Sequence, residues 1–225
     1  EKILKFAMYD EVFSPIVTMK SLVPEWYKSI EKFKNGAKQH SLNPPNVTVK
    51  VCGPYMDSML TGYALTAPID FLVEIEDGKP KIRHRLDGMF IGERSPDQEV
   101  PAPPGFYSQQ FTWATKAAIG IPEGYSFLFT HPLNRVDLPF YTLSGVVDTD
   151  DFPLSVQFPF FIKKGFSGLI PAGTPIIQAI PFKRDNWELE FPDQDRSYEY
   201  EEFWNWFNPP MAKYKKQFWK RKTYK

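Results

Sequence analysis

Between Ile121 and Phe182 the chain never runs far without a proline or a glycine. The segment reads IPEGYSFLFTHPLNRVDLPFYTLSGVVDTDDFPLSVQFPFFIKKGFSGLIPAGTPIIQAIPF. Proline lacks a backbone donor and breaks helices, and Pro-Gly clusters turn the chain. What remains between them is a series of short β-rich runs. With 22 prolines among 225 residues, a helical bundle is disfavoured and an all-β sandwich or barrel is expected. The runs at 107–113, 126–130, 140–143, 155–161, 168–170 and 174–182 are the predicted strands.

Upstream, residues 2–9, 47–51 and 69–75 read as strands. Glu76-Asp-Gly-Lys then supplies a turn that joins 69–75 to a partner at 81–85 as a hairpin. One helix is predicted, opened by Pro24 and running through PEWYKSIEKFKNGAK. There Trp26, Ile30, Phe33 and Ala37 form one apolar stripe. Past Trp187 the composition changes. Residues 193–202 are acidic, and MAKYKKQFWKRKTYK at the end is basic and aromatic. Met211, Tyr214 and Phe218 share one face of a predicted C-terminal helix. Tyr214, Phe218 and Trp219 are expected to anchor this tail by packing. The expected division is a β-rich domain over 1–192 and an extension over 193–225.

Charge and cysteine content narrow the function classes. Equal numbers of basic and acidic residues, 27 each, give no global attraction to nucleic acid, which makes it an unlikely partner, and no run of apolar residues is long enough for a membrane span. Cys52 has no second cysteine to pair with, and its sequence context suits a packed small residue better than a nucleophile. The first residues lack the layout of a secretory signal. His40, His84 and His131 have no metal-ligand spacing, and no glycine run precedes a helix as a phosphate cradle would require.

The candidate chemistry lies in Gly145-Val-Val-Asp-Thr-Asp-Asp151. Asp148 at a strand end could activate water, and Asp148, Asp150 and Asp151 could hold Mg²⁺. The same residues also read as a solvated turn whose side chains bond local amides. His131 and Arg135 flank a proline turn nearby in sequence and could bind a phosphate or carboxylate. Alternatively, Arg135 makes a structural ion pair with Asp137 or Asp148.

The order of these parts resembles the core of the dUTPase/dCTP-deaminase superfamily. A Pro-x-Gly turn leads to a strand, then to Gly145-Val-Val-Asp148, then to Gly173-Thr-Pro-Ile-Ile-Gln178. The resemblance implies a β-clip-like core over 121–182 and assigns Asp148 to water and sugar, with Phe152 against a base. It places Gln178 near phosphate, where Arg135 could join it, and implies a homotrimer with sites shared between subunits. Two family elements are missing. Thr130-His-Pro-Leu-Asn-Arg135 stands where an Arg-Ser element carries a serine, and no Gly-rich tail follows. His131-Pro-Leu-Asn134, Leu138-Pro-Phe140, Gly145–Asp150 and Gln157-Phe-Pro-Phe160 also resemble a tailed-phage protein family that carries no assigned activity. It implies a viral protein of the host cytoplasm or the virion. His131, Asn134 and Asp150 complete the candidate ligand-binding residues. Two functions are consistent with these resemblances. One is binding or hydrolysis of a nucleotide or similar small ligand. The other is a non-enzymatic structural or interaction role with a viral partner protein on the same scaffold.

Overall fold

A computed structural model of the chain describes residues 2–8, 10–34, 47–94, 100–152, 155–190 and 219–224. The chain forms two compact units, Glu1–Leu22 with Thr61–Arg184, and Val23–Leu60 with Asp185–Lys225.

The first unit is mainly β. Its strands are β1 (Lys5–Met8), β2 (Ile16–Thr18), β3 (Tyr63–Thr66), β4 (Phe71–Glu76), β5 (Lys79–Arg83), β6 (Ile91–Glu93) and β7 (Phe106–Ala114). They continue as β8 (Ala117–Gly120), β9 (Tyr125–Thr130), β10 (Phe140–Thr142), β11 (Gly145–Val147), β12 (Gln157–Lys163), β13 (Gly168–Ile170) and β14 (Pro175–Lys183). They pair antiparallel in four sheets, ordered β11-β9-β14-β3-β2, β10-β12-β7-β6, β13-β4-β5 and β1-β8. Every described sheet has two open edges, so of the sandwich or barrel expected, the described residues form open antiparallel sheets and no closed barrel.

Aromatic side chains fill the space within this unit. The Trp113 and Phe160 rings of the paired strands β7 and β12 stack at 3.7 Å and 7°, and Phe140 meets Trp113 edge-on at 5.1 Å. Trp113 Nε1 donates to Thr142 Oγ1 at 3.1 Å, and that hydroxyl donates to the Ile176 carbonyl at 2.8 Å. The indole therefore buries its ring without stranding its donor. On β12 the consecutive residues Phe160, Phe161 and Ile162 are all fully buried. Phe160 and Phe161 pair in regular register and point to opposite faces, so both faces of β12 are covered there, and the register shift between Phe161 and Lys163 marks a bulge just after them. Pro181 lies beyond Ala179, the last β14 residue paired with β3, so its missing donor falls where β14 has a neighbour on one side only.

Among the described residues, the second unit carries two short α-helices, α1 (Glu25–Ser29) and α2 (Gly53–Leu60). The long helix expected after Pro24 shrinks to five residues. Ile30 turns extended at φ −63, ψ 128, and Phe33 bridges Val47 instead of continuing the stripe. Lys50 Nζ donates to the Tyr27 and Lys28 carbonyls at 2.7 and 3.1 Å, satisfying acceptors that a longer helix would have used itself. The strand expected at 47–51 is a 3₁₀ turn, Val49–Val51. The predicted C-terminal helix over Met211–Phe218 lies outside the described residues, and residues 219–224 are irregular. No helix among the described residues is long and apolar enough to cross a membrane.

Candidate functional site

The acidic turn is positioned by strand pairing. β11 runs antiparallel to β9 with Val147 opposite Phe127, so the next residue, Asp148, arrives beside Ser126. Ser126 Oγ donates to Asp148 Oδ1 at 2.6 Å. The chain then turns tightly, with Asp151 N and Phe152 N donating to the Asp148 carbonyl at 3.1 and 2.9 Å. β14 pairs with the other side of β9 up to Lys183 opposite Tyr125. That register delivers Arg184 to the same end.

Arg184 organises the cluster. Its Nη1 and Nη2 donate to Asp150 Oδ1 and Oδ2 at 2.9 and 2.5 Å, a bidentate fork. Nη1 also bonds the Tyr125 carbonyl at 2.9 Å and Ser126 Oγ at 3.1 Å, and lies 3.3 Å from Asp148 Oδ1. Gly124 N donates to Asp150 Oδ2 at 2.9 Å. The Arg184 hydrogen bonds hold the Asp150 carboxyl down to about 2, well below the usual carboxylate range. The guanidinium is held above its usual value by the same carboxylate. Only 4% of the Asp150 side chain is exposed, against 57% for Asp148. Phe152 leaves 49% of its surface in solvent. Sequence reading missed Arg184 and Ser126, because neither belongs to a motif and only the β9 pairings bring them to the turn.

The second set of candidates lies at the other end of β9. Gln178 pairs with Thr130, four residues from Ser126, or roughly 13 Å along the strand. Gln178 is fully buried. Its Oε1 accepts from Leu133 N at 2.8 Å and its Nε2 donates to the Thr61 carbonyl at 2.7 Å. Asn134 takes a left-handed φ of 61, a conformation its short polar side chain tolerates, so it serves the turn between β9 and β10. Arg135 forks onto Asp137, with Nε to Oδ1 at 2.9 Å and Nη2 to Oδ2 at 2.8 Å, and Nη1 reaches the Leu22 carbonyl at 3.3 Å. Of the two ion pairs open to Arg135, the one formed is with Asp137.

His131 stacks on Tyr141 at 5.1 Å and meets Phe140 edge-on at 5.9 Å. Thr142 N donates to its Nδ1 at 3.4 Å, which leaves Nε2 as the donor to the Arg135 carbonyl at 3.3 Å. This fixes a neutral ring, and burial pushes its pKa down.

The structure thus brings together Asp148, Asp150 and the backbone of Phe152 at one strand end. It gathers His131, Asn134, Arg135 and Gln178 at the other. Among the described residues no group of three or more His, Cys, Asp or Glu side chains is placed to hold a metal ion. The residues of the turn do not fit Mg²⁺ in this arrangement. Both Asp150 oxygens are taken by a guanidinium, and a divalent cation beside Asp148 would meet that positive charge. Compared with known proteins, the sequence matches no family model and no curated protein.

Proposed function

We propose that this chain is a viral structural or interaction protein, without catalytic activity, on a β-clip-like core of dUTPase type. One observation carries the reading. The groups that would handle a nucleotide are committed to internal bonds at opposite ends of β9, Gln178 most completely, since it is buried and bonded at both ends of its amide. A side chain in that state ties the turn after β9 to Thr61 and has no face to offer a phosphate. The missing serine in Thr130-His-Pro-Leu-Asn-Arg135 points the same way. The expected partner is a second viral protein or further copies of the chain.

Binding or hydrolysis of a nucleotide is the second reading, favoured by Asp148. It is the one candidate carboxylate that is both exposed and at a strand end, with the exposed Phe152 ring following it in the turn. This reading needs a homotrimer, with a neighbouring subunit supplying what the Gln178 end does not. A panel of deoxynucleotides with and without Mg²⁺, read by thermal shift, separates the two. A ligand at a hundred times its Kd adds about 2.7 kcal/mol. The structural reading expects a flat panel, and a nucleotide-specific rise in Tm would replace it with the second.

A further inference from the structure

In the first unit β5 ends one sheet and β6 ends another. A cleft of about 480 Å³ opens between those sheets, lined by Ile82 and His84 on one side and by Ile91, Glu93, Gln109 and Phe111 on the other. None of these residues belongs to the acidic turn or to the Gln178 end of β9. Glu93 stands opposite Phe111 in the β6–β7 pairing, and Ile91 opposite Trp113. Side chains alternate along a strand, so Ile91, Glu93, Gln109 and Phe111 share one face of that sheet. Ile82 is paired with the fully buried Val73 and shares its face of the hairpin. The cleft therefore has an apolar floor, Ile82, Ile91 and Phe111, with one carboxylate set beside it.

The charges around the cleft divide into paired and unpaired. Lys81 bonds Glu76 at 2.7 Å, and Arg83 bonds Glu74 at 2.7 Å and Glu76 as well. The hairpin's tip adds Asp77 and Lys79, which cancel in sum. Glu93 meets no cation among the described residues, and its carboxylate accepts from Gln109 Nε2. Two acceptors on lining residues also lack donors. Gln109 Oε1 is buried with no partner, a state that calls for a donor from water or ligand. His84 Nδ1 lies 2.8 Å from the Leu86 carbonyl and donates to it, which leaves Nε2 of the neutral ring as an acceptor. The ring's orientation is held by edge-on contacts with Phe71 at 6.0 Å and Phe90 at 5.4 Å.

We propose that this cleft binds a small organic amine, with its ammonium group on Glu93 and its apolar body against Ile82, Ile91 and Phe111. An ammonium brings three N–H donors and no acceptor, which suits a carboxylate whose neighbouring side chains carry unmet acceptors. A neutral body of the same shape would desolvate Glu93 without compensation. The Phe111 ring opposite Glu93 also favours a cation. Gln109 holds the carboxylate in place before the ligand arrives, so less ordering is needed on binding.

The test titrates the full chain, labelled with nitrogen-15, with 2-phenylethylamine and with 3-methylbutylamine at neutral pH, and follows the amide chemical shifts. The expected result is saturable shifts at Ile82, Ile91, Glu93 and Gln109. Glu93→Gln keeps the side-chain volume and removes the charge, and should weaken both amines by about tenfold. The alcohol 2-phenylethanol has the same body without the charge, and should bind the wild type about tenfold more weakly than the amine. The alcohol comparison uses the wild type alone and stands whatever Glu93→Gln does to the fold. No saturable shift at these residues with either amine, shifts centred on Asp148 and Arg184 instead, undiminished affinity in a folded Glu93→Gln protein, or equal binding of the alcohol overturns the proposal.

Discussion

At the residue scale, the acidic turn is decided by one cation. The readings open for Gly145–Asp151 were a catalytic carboxylate, a metal site or a bonded turn. Arg184 gives the turn fixed geometry by forking onto Asp150. The folded Asp150 carboxyl sits at about 2, below its ordinary 3.8. Its stabilising contribution is therefore complete above pH 3.8 and is lost as the pH falls from there toward 2. Melting curves of the wild type and Asp150→Asn should differ at neutral pH and converge at the acid end of that window. His131 shifts in the opposite chemical sense, because burial favours the neutral ring. Its folded pKa lies below 6.5, so stability is complete above pH 6.5 and declines as the pH falls through the folded value. A His131→Gln variant should flatten Tm against pH over that range, and an unchanged slope would count against the buried neutral ring. For Gln178→Leu, the Leu133 amide and the Thr61 carbonyl lose their partner together. Leaving buried polar groups unmet should cost about 2–4 kcal/mol in chemical denaturation. A cost below about 1 kcal/mol would mean that solvent already reaches the Gln178 amide.

Elements show where the sequence was legible and where it was not. The hairpin of β4 and β5 was readable because Asp77 and Gly78 both take positive φ, 51 and 74, the geometry of the tight turn that Asp-Gly favours. Gly78→Ala should cost roughly 1 kcal/mol there, from backbone strain alone. Strands β7, β9, β12, β13 and β14 were readable from β-rich runs between turn signals. The strands β2, β3, β6 and β8, three or four residues each, were not. The helix after Pro24 was overextended because its stripe satisfied helical spacing locally. A Lys50 side chain from 22 residues away closes off its last turn instead. The short helix α2, with its buried Asp57, drew no prediction, because a lone carboxylate in Gly-Pro-Tyr-Met-Asp-Ser-Met-Leu has no signal until its donors Trp219, Lys222 and Tyr224 are seen. Gly62 is the severest backbone constraint. It has φ 75, and an added Cβ would fall 2.3 Å from the Ala179 carbonyl oxygen. Gly62→Ala should therefore force β3 and β14 apart and lower Tm far more than Gly78→Ala does.

Across the whole molecule, the side-chain pairings were not legible in the sequence. The resemblance assigns Asp148 and Gln178 to one site, yet β9 holds them at its two ends. Arg184 joins the turn from 34 residues away, a partnership that strand register creates and no motif records. On the structural reading, the exposed Asp148 is a turn residue held by Ser126, and oligomerisation has no catalytic purpose. On the nucleotide reading, light scattering at micromolar concentration must return a trimer, and a monomer mass removes the shared site. The most direct measurement is turnover of deoxyuridine triphosphate with Mg²⁺ by the wild type and by Asp148→Asn, with circular dichroism and Tm recorded on both. The account predicts that neither protein releases pyrophosphate above the protein-free control, and that Asp148→Asn keeps the wild-type spectrum with a small change in Tm. Wild-type turnover that vanishes in a folded Asp148→Asn protein would contradict it.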